Sequence, residues 1–202
     1  MPSVDFCFDF VSPNAYLAHK VIPAIEQRSG VTFNYVPVLL GGVFKLTNNQ
    51  SPVVLFKDVA NKRAYNQNET QRFIAKHGVP FKRNPHFPIN TVTVMRGAIV
   101  AQLEGFFAEY VDAIYHSMWE EPRKMDEPAI IRAALQESDI DPDRILQRVQ
   151  DQDIKDALTK STEDAVARGI FGCPSFFVGG EMFFGKDKLR EVEEEIVRQA
   201  AA

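Results

Sequence analysis

The tightest constraint on the fold lies between Val4 and Ile25, where the hydrophobic period changes. Val4, Phe6, Phe8 and Phe10 alternate with Ser3, Asp5, Cys7 and Asp9, the period-two pattern of a half-buried strand. From Ala15 the apolar residues Ala15, Ala18, Ile22 and Ile25 fall at helical spacing. Ser12 and Pro13 stand at the change. A serine N-cap satisfies an orphan amide, and a proline at the first helical position has no amide to satisfy. The chain therefore runs strand, tight turn, helix, with a hydroxyl at the positive end of the helix dipole. Ser12 has two readings on this evidence. It is a cap alone, or it also offers its hydroxyl and nearby free amides to an anion such as a thiolate, phosphate or carboxylate.

A second stretch, 171–189, reads as a strand, a hairpin turn at Gly179-Gly180, a second strand and a capped helix. Strand-helix at one end and proline-hairpin-helix at the other is the outline of a thioredoxin fold. Between them, 13–29 predicts a helix ended by Gly30, with Pro23 giving a kink or a late break. Residues 31–40 alternate as a second strand, which makes a parallel, right-handed βαβ unit closed by Gly41-Gly42. From Val43 to Arg168 no strand is convincing. Helical patterns recur at 62–77, 91–104, 106–119, 127–137, 142–149 and 151–168, separated by glycine and proline turn signals. The reading is α/β: a discontinuous thioredoxin-like domain at 1–42 and 169–202, and an inserted all-α domain at 43–168.

Composition excludes several classes. The 202 residues are 45% hydrophobic, enough for a sizeable core. A net charge of -4 points to no nucleic-acid or membrane surface, and the apolar runs are far short of a membrane span. Asp5 and Asp9 in the first strand rule against a secretory signal. Cys7 and Cys173 form neither a CxxC nor a zinc spacing, which suits a reducing compartment and predicts a cytoplasmic protein. His19, His77, His86 and His116 form no metal-ligand pattern, so no metal is expected.

Phe8-Asp9-Phe10-Val11-Ser12-Pro13, Asn61-Lys62-Arg63-Ala64-Tyr65, Phe87-Pro88-Ile89-Asn90-Thr91, Gly169-Ile170-Phe171-Gly172-Cys173-Pro174 and Phe184-Gly185-Lys186-Asp187 occur in that order along nearly the whole chain. As an ordered set they resemble the family of 2-hydroxychromene-2-carboxylate isomerases and kappa-class glutathione transferases, within the DsbA-like proteins of thioredoxin fold. The resemblance implies a glutathione site. Ser12 would face the glutathione sulfur. Cys173, before a cis Pro174, would pair its backbone with the tripeptide, and Asp187 would hold the γ-glutamyl ammonium. Lys62 and Asn49, with Asn48 as the rival position, would meet the glycine carboxylate. Lys186 stands where relatives have serine or asparagine. Phe87, Asn90 and Trp119 would shape a pocket for an aromatic substrate or electrophile. A homodimer is also implied.

DsbA-like oxidoreductases carry two cysteines where this chain has Ser12-Pro13-Asn14-Ala15. Disulfide exchange needs an attacking thiolate, so oxidoreductase chemistry is not expected. Cys7 reads as a small buried hydrophobe; Cys173 reads as a space-filler or as a thiol beside the glutathione sulfur. The function expected is glutathione-dependent isomerisation. Glutathione transfer is the alternative, and a thiol-disulfide oxidoreductase or a catalytically silent thiol- or peptide-binding protein are the rivals.

Overall fold

A computed structural model describes residues 2–201. Strand β1 (Val4–Phe8) leads through Ser12 into helix α1 (Pro13–Ser29), followed by β2 (Phe33–Pro37). Eight helices come next: α2 (Leu40–Leu46), α3 (Pro52–Leu55), α4 (Ala60–His77), α5 (Val92–Glu104), α6 (Phe107–Trp119), α7 (Pro128–Glu137), α8 (Pro142–Arg148) and α9 (Gln152–Ala167). The hairpin β3 (Ser175–Val178) and β4 (Glu181–Phe184) then leads through a 3-10 turn (Lys186–Lys188) into α10 (Leu189–Ala200). The strands form one sheet in the order β2-β1-β3-β4. β1 and β2 are parallel, and β3 runs antiparallel to both β1 and β4.

The alternation in β1 sorts the sheet's two faces. Val4, Phe6 and Phe8 join a core cluster with α1 and α10, in which the Phe6 ring stacks on Phe8 at 5.6 Å and on Phe176 at 5.3 Å. Cys7 faces the other way, into a smaller cluster with Val38, Val43, Ala165 and Phe177. Every one of these side chains is buried, so a one-residue slip of β1 would exchange phenylalanines for Asp5 and Cys7 across the sheet. The first core cluster extends into the helices, taking in Met95, Ile114, Trp119 and Leu135.

The helix ends behave as their residues dictate. Ser12 caps α1 by accepting from the Ala15 N–H at 3.2 Å, and Gly30 closes it in the left-handed conformation at φ 70°. Pro23 sits inside an uninterrupted α1, where the other backbone bonds and the buried apolar face outweigh the one bond proline removes. Two expectations need correction. The second strand stops at Pro37 rather than Leu40, and Gly41 and Gly42 lie within α2 instead of a closing turn. The reason is long-range. The Leu40 N–H donates to Asp9 Oδ2 at 2.8 Å and the Leu39 N–H to Thr162 Oγ1 at 3.0 Å, so tertiary partners satisfy amides that a strand would have paired. α3, only four residues long, was also not anticipated from periodicity.

Candidate active site

The turn after β1 is built around one hydroxyl and one carboxylate. Ser12 Oγ accepts from Ala15 and donates to the carbonyl of Cys173 at 3.0 Å, across 161 residues of sequence. That bond sets the N-terminus of α1 against the loop before β3. The Cys173–Pro174 peptide is cis, as the sequence led one to expect. In the same loop Gly185 N–H donates to the Pro174 carbonyl at 2.9 Å, which ties the end of β4 to it. Among the described residues the Cys173 N–H has no protein acceptor. A backbone donor in a residue only 8% exposed is the kind of group that a bound polar molecule satisfies.

Asp9 is the site residue that sequence reasoning passed over. Its carboxylate is fully buried and accepts three hydrogen bonds: from Val11 N–H at 3.0 Å, Thr91 Oγ1 at 2.7 Å and Leu40 N–H at 2.8 Å. Its own carbonyl accepts from Ser12 N–H at 3.0 Å. One aspartate thus clamps the turn that carries Ser12 to the starts of α2 and α5. Burial pushes its carboxyl pKa up, and the three donors pull against that shift. The signal was present in the sequence: an aspartate on the alternating polar face, three residues before an N-cap serine, where the strand is about to end.

The two thiols are not activated. Burial raises Cys7 to about 12 and Cys173 well above the ordinary thiol range, with the Asp9 carboxylate adding to the shift at Cys173. Both are free.

The remaining candidates are dispersed. Asn49 Nδ2 donates to the Phe171 carbonyl at 3.0 Å, while Asn48 takes the left-handed backbone conformation of the turn at φ 52°. Asn49 is therefore the asparagine set against the Cys173 loop. Lys62 lies on the exposed first turn of α4, its ammonium 5.6 Å from the Phe56 ring and 6.0 Å from that of Tyr65. The structure does not bring it against Ser12. Asp187 is exposed and pairs with Lys186, whose side chain is 4% exposed and lies over the Phe73 ring at 4.9 Å. Asn90 accepts from Val92 N–H at 3.0 Å at the start of α5. Trp119 is 1% exposed, donates from Nε1 to the Phe10 carbonyl at 2.9 Å and packs beside Phe87 at 5.9 Å. It braces the Ser12 turn from beneath rather than lining an open wall.

No helix among the described residues is long and apolar enough to cross a membrane. Residues 3–197 match the family described as the DSBA-like thioredoxin domain. A 2-hydroxychromene-2-carboxylate isomerase of Sphingobium xenophagum is 27% identical over 194 residues, 95% of this chain and 96% of the relative. A glutathione S-transferase kappa 1 of Caenorhabditis elegans is 24% identical over 208 residues, 96% of this chain and 90% of the relative. Among solved structures, a 2-hydroxychromene-2-carboxylate isomerase superimposes with a TM-score of 0.85 at 26% identity, covering 98% of this chain and 95% of the other. A probable DsbA oxidoreductase from Streptomyces coelicolor reaches 0.76 at 14% identity, 99% and 90% covered, and shows the fold alone. With its parallel-antiparallel four-stranded sheet, its Ser12 turn and its cis Pro174, the chain belongs to the DsbA-like thioredoxin-domain family.

Proposed function

We propose that this protein is a glutathione-dependent isomerase acting on 2-hydroxychromene-2-carboxylate and trans-o-hydroxybenzylidenepyruvate or a close relative. The observation that carries the reading is the Ser12–Cys173 contact. It joins a hydroxyl at a helix N-terminus to a backbone edge with an unused N–H, and that pairing suits a thiol peptide. Glutathione, when bound, supplies a thiolate that adds reversibly to a conjugated substrate, so that a double bond can rotate. The chain's own tasks are to hold that thiolate, fix the peptide and shield the site.

Ser12 holds the sulfur. In this structure its proton goes to the Cys173 carbonyl. Turning that proton toward a thiolate frees the carbonyl to accept an N–H from the peptide, so one hydrogen bond is exchanged rather than lost. Cys173 contributes backbone only, with Pro174 fixing its direction. Asp187 meets the ammonium and Lys186 the carboxylate of the γ-glutamyl end, while Asn49 and Lys62 serve the far carboxylate. The unit at 1–42 and 169–202 supplies the thiol site and the helices of 43–168 its cover, with Phe87 and Asn90 toward the substrate and Trp119 beneath them. A cytoplasmic homodimer belongs to the same proposal; exposed Leu46, Val53, Val54, Leu55 and Val59 give a second copy apolar surface to cover.

The deciding experiment follows interconversion of the two substrate isomers by ultraviolet absorbance, with and without glutathione. Turnover is expected only with glutathione, which is recovered unchanged. Equal rates without it would refute the proposal. Steady conjugation of a general electrophile without isomerisation would favour the transferase reading, which the kappa relative at 24% identity supports.

A second measurement isolates Ser12. A hydrogen bond to a charged group is worth ~1.5–3 kcal/mol, and a pKa unit corresponds to ~1.4 kcal/mol. Ser12→Ala should therefore raise the pKa of bound glutathione by roughly one to two units. The lost cap costs about 1 kcal/mol and the Cys173 carbonyl left without its donor about 1–3 kcal/mol more, within the ~5–15 kcal/mol stability of an ordinary domain, so the protein stays folded. A thiolate titration identical to that of the unmodified protein would remove Ser12 from the mechanism.

A further inference from the structure

A groove of about 400 Å³ lies between α1, α4 and the start of α10. Its apolar lining is Val21, Ile25, Phe73 and Leu189, and five basic side chains, Arg28, Arg72, Lys76, Lys186 and Arg190, stand around it. Only three acids share the lining: Glu69, Asp187 and Glu193. Each acid is already engaged by a base of the groove, Glu69 by Arg72, Asp187 by Lys186, and Glu193 by Arg28 at 2.6 Å. Among the described residues Lys76 pairs with no acid, and Arg190 pairs with Glu194, which is outside the lining. The groove therefore carries surplus positive charge over an apolar floor. His77, also in the lining, responds to that field: burial first, then Lys76 and Arg28, hold its pKa below the usual imidazole value. Lys186 adds a buried ammonium with three donors, of which Asp187 takes one.

We propose that this groove is a second binding site, distinct from the Ser12 turn, for a small organic anion with an apolar body, of the class of aromatic carboxylates. The volume is that of a small-molecule site, and such sites combine an apolar lining with a few fixed polar groups. A flat aromatic body covers Phe73, Leu189 and Ile25, while its carboxylate meets Lys76 at the mouth and the spare donors of Lys186 inside. Ser12, Cys173 and Pro174 are absent from the lining. The groove adjoins the proposed glutathione site at the Lys186–Asp187 pair, so the anion and the γ-glutamyl end of glutathione compete for the Lys186 ammonium; the rest of the lining belongs to the groove alone.

The test uses 2-naphthoate and its neutral amide as probes, measured by calorimetry on the whole protein without any thiol. The acid is expected to bind with a Kd below about 1 mM, and the amide about tenfold more weakly, since it lacks the charge. Lys76→Glu and Arg72→Glu change exposed side chains of α4, so the fold is kept. Each should weaken naphthoate about tenfold, and raising salt should weaken it in the unmodified protein, because mouth charges are screened within a Debye length of about 10 Å at 0.1 M. Equal affinity for acid and amide would overturn the site. So would unchanged binding in Lys76→Glu, no binding at millimolar probe, or loss of binding in Ser12→Ala with Lys76→Glu unaffected, which would move the probe to the thiol site.

Discussion

Asp9→Ala is expected to destabilise the protein by about 3 kcal/mol or more and to abolish the activity proposed for the Ser12 turn. The carboxylate accepts from Val11, Leu40 and Thr91 in a fully buried position. Removing it strands three donors, and each unmet buried donor costs about 1–3 kcal/mol. The gain from no longer desolvating a carboxylate works in the other direction, so the lower end of the summed range is the expected one. For a chain of this size the melting temperature should fall by about 6–12 °C, read by a thermal scan. A drop of a degree or less would mean the turn is held without Asp9. The comparison with Asp9→Asn adds a pH signature. Burial raises the folded-state pKa of Asp9 above its unfolded value, so the folded protein binds the proton more tightly. The stability from that proton is fully present below the unfolded pKa and is lost as pH rises through the folded one. Asparagine does not titrate. The deficit of Asp9→Asn against the unmodified protein should therefore shrink as pH rises from acid toward neutral. A deficit constant with pH contradicts the raised pKa.

Gly97→Ala should be as damaging through a different cause. Helix α5 meets α6 at Gly97, where an added Cβ would stand 1.9 Å from the Tyr110 hydroxyl oxygen and 2.6 Å from its Cζ. Tyr110 is fully buried and donates to the Val94 carbonyl at 2.9 Å, so its ring has nowhere to retreat without losing that bond. Alanine gains about 1 kcal/mol of helix propensity over glycine, but overpacking costs about 1–3 kcal/mol and an orphaned hydroxyl about 1–3 kcal/mol more. The net expectation is a loss of about 1–5 kcal/mol, measured by urea unfolding. Tyr110→Phe in the same chain should recover part of it, since the closest contact is to the hydroxyl. A Gly97→Ala protein as stable as the original would show that α5 and α6 can slide apart at no cost.

Much of the fold was legible because local rules and tertiary packing agree. The change of period at Ser12, the Gly30 cap and the Gly179-Gly180 hairpin each belong to one short stretch with its own capping or turn chemistry. Six of the inserted helices were legible for the same reason, their apolar residues recurring at helical spacing between glycine and proline breaks. The second strand was overextended by two residues before Phe33 and by three after Pro37, the latter because Val38, Leu39 and Leu40 look like strand. Nothing local says that Asp9 and Thr162 will take the Leu40 and Leu39 amides.

The candidate site divides along the same line. The sequence by itself determined that a serine hydroxyl would cap α1, because the cap is made by residues three apart. It also shows that Ser12 to Ala15 holds no thiol, so that turn offers no cysteine for disulfide exchange. Only the tertiary structure decided that this hydroxyl meets the Cys173 carbonyl, that Leu40 and Thr91 donate to the buried Asp9 under the turn, that Trp119 braces it from below, and that Lys186 is buried beside Phe73. Each of these joins segments tens to more than a hundred residues apart. A contact of that range depends on the simultaneous packing of sheet and helices, and no residue's local preference encodes it.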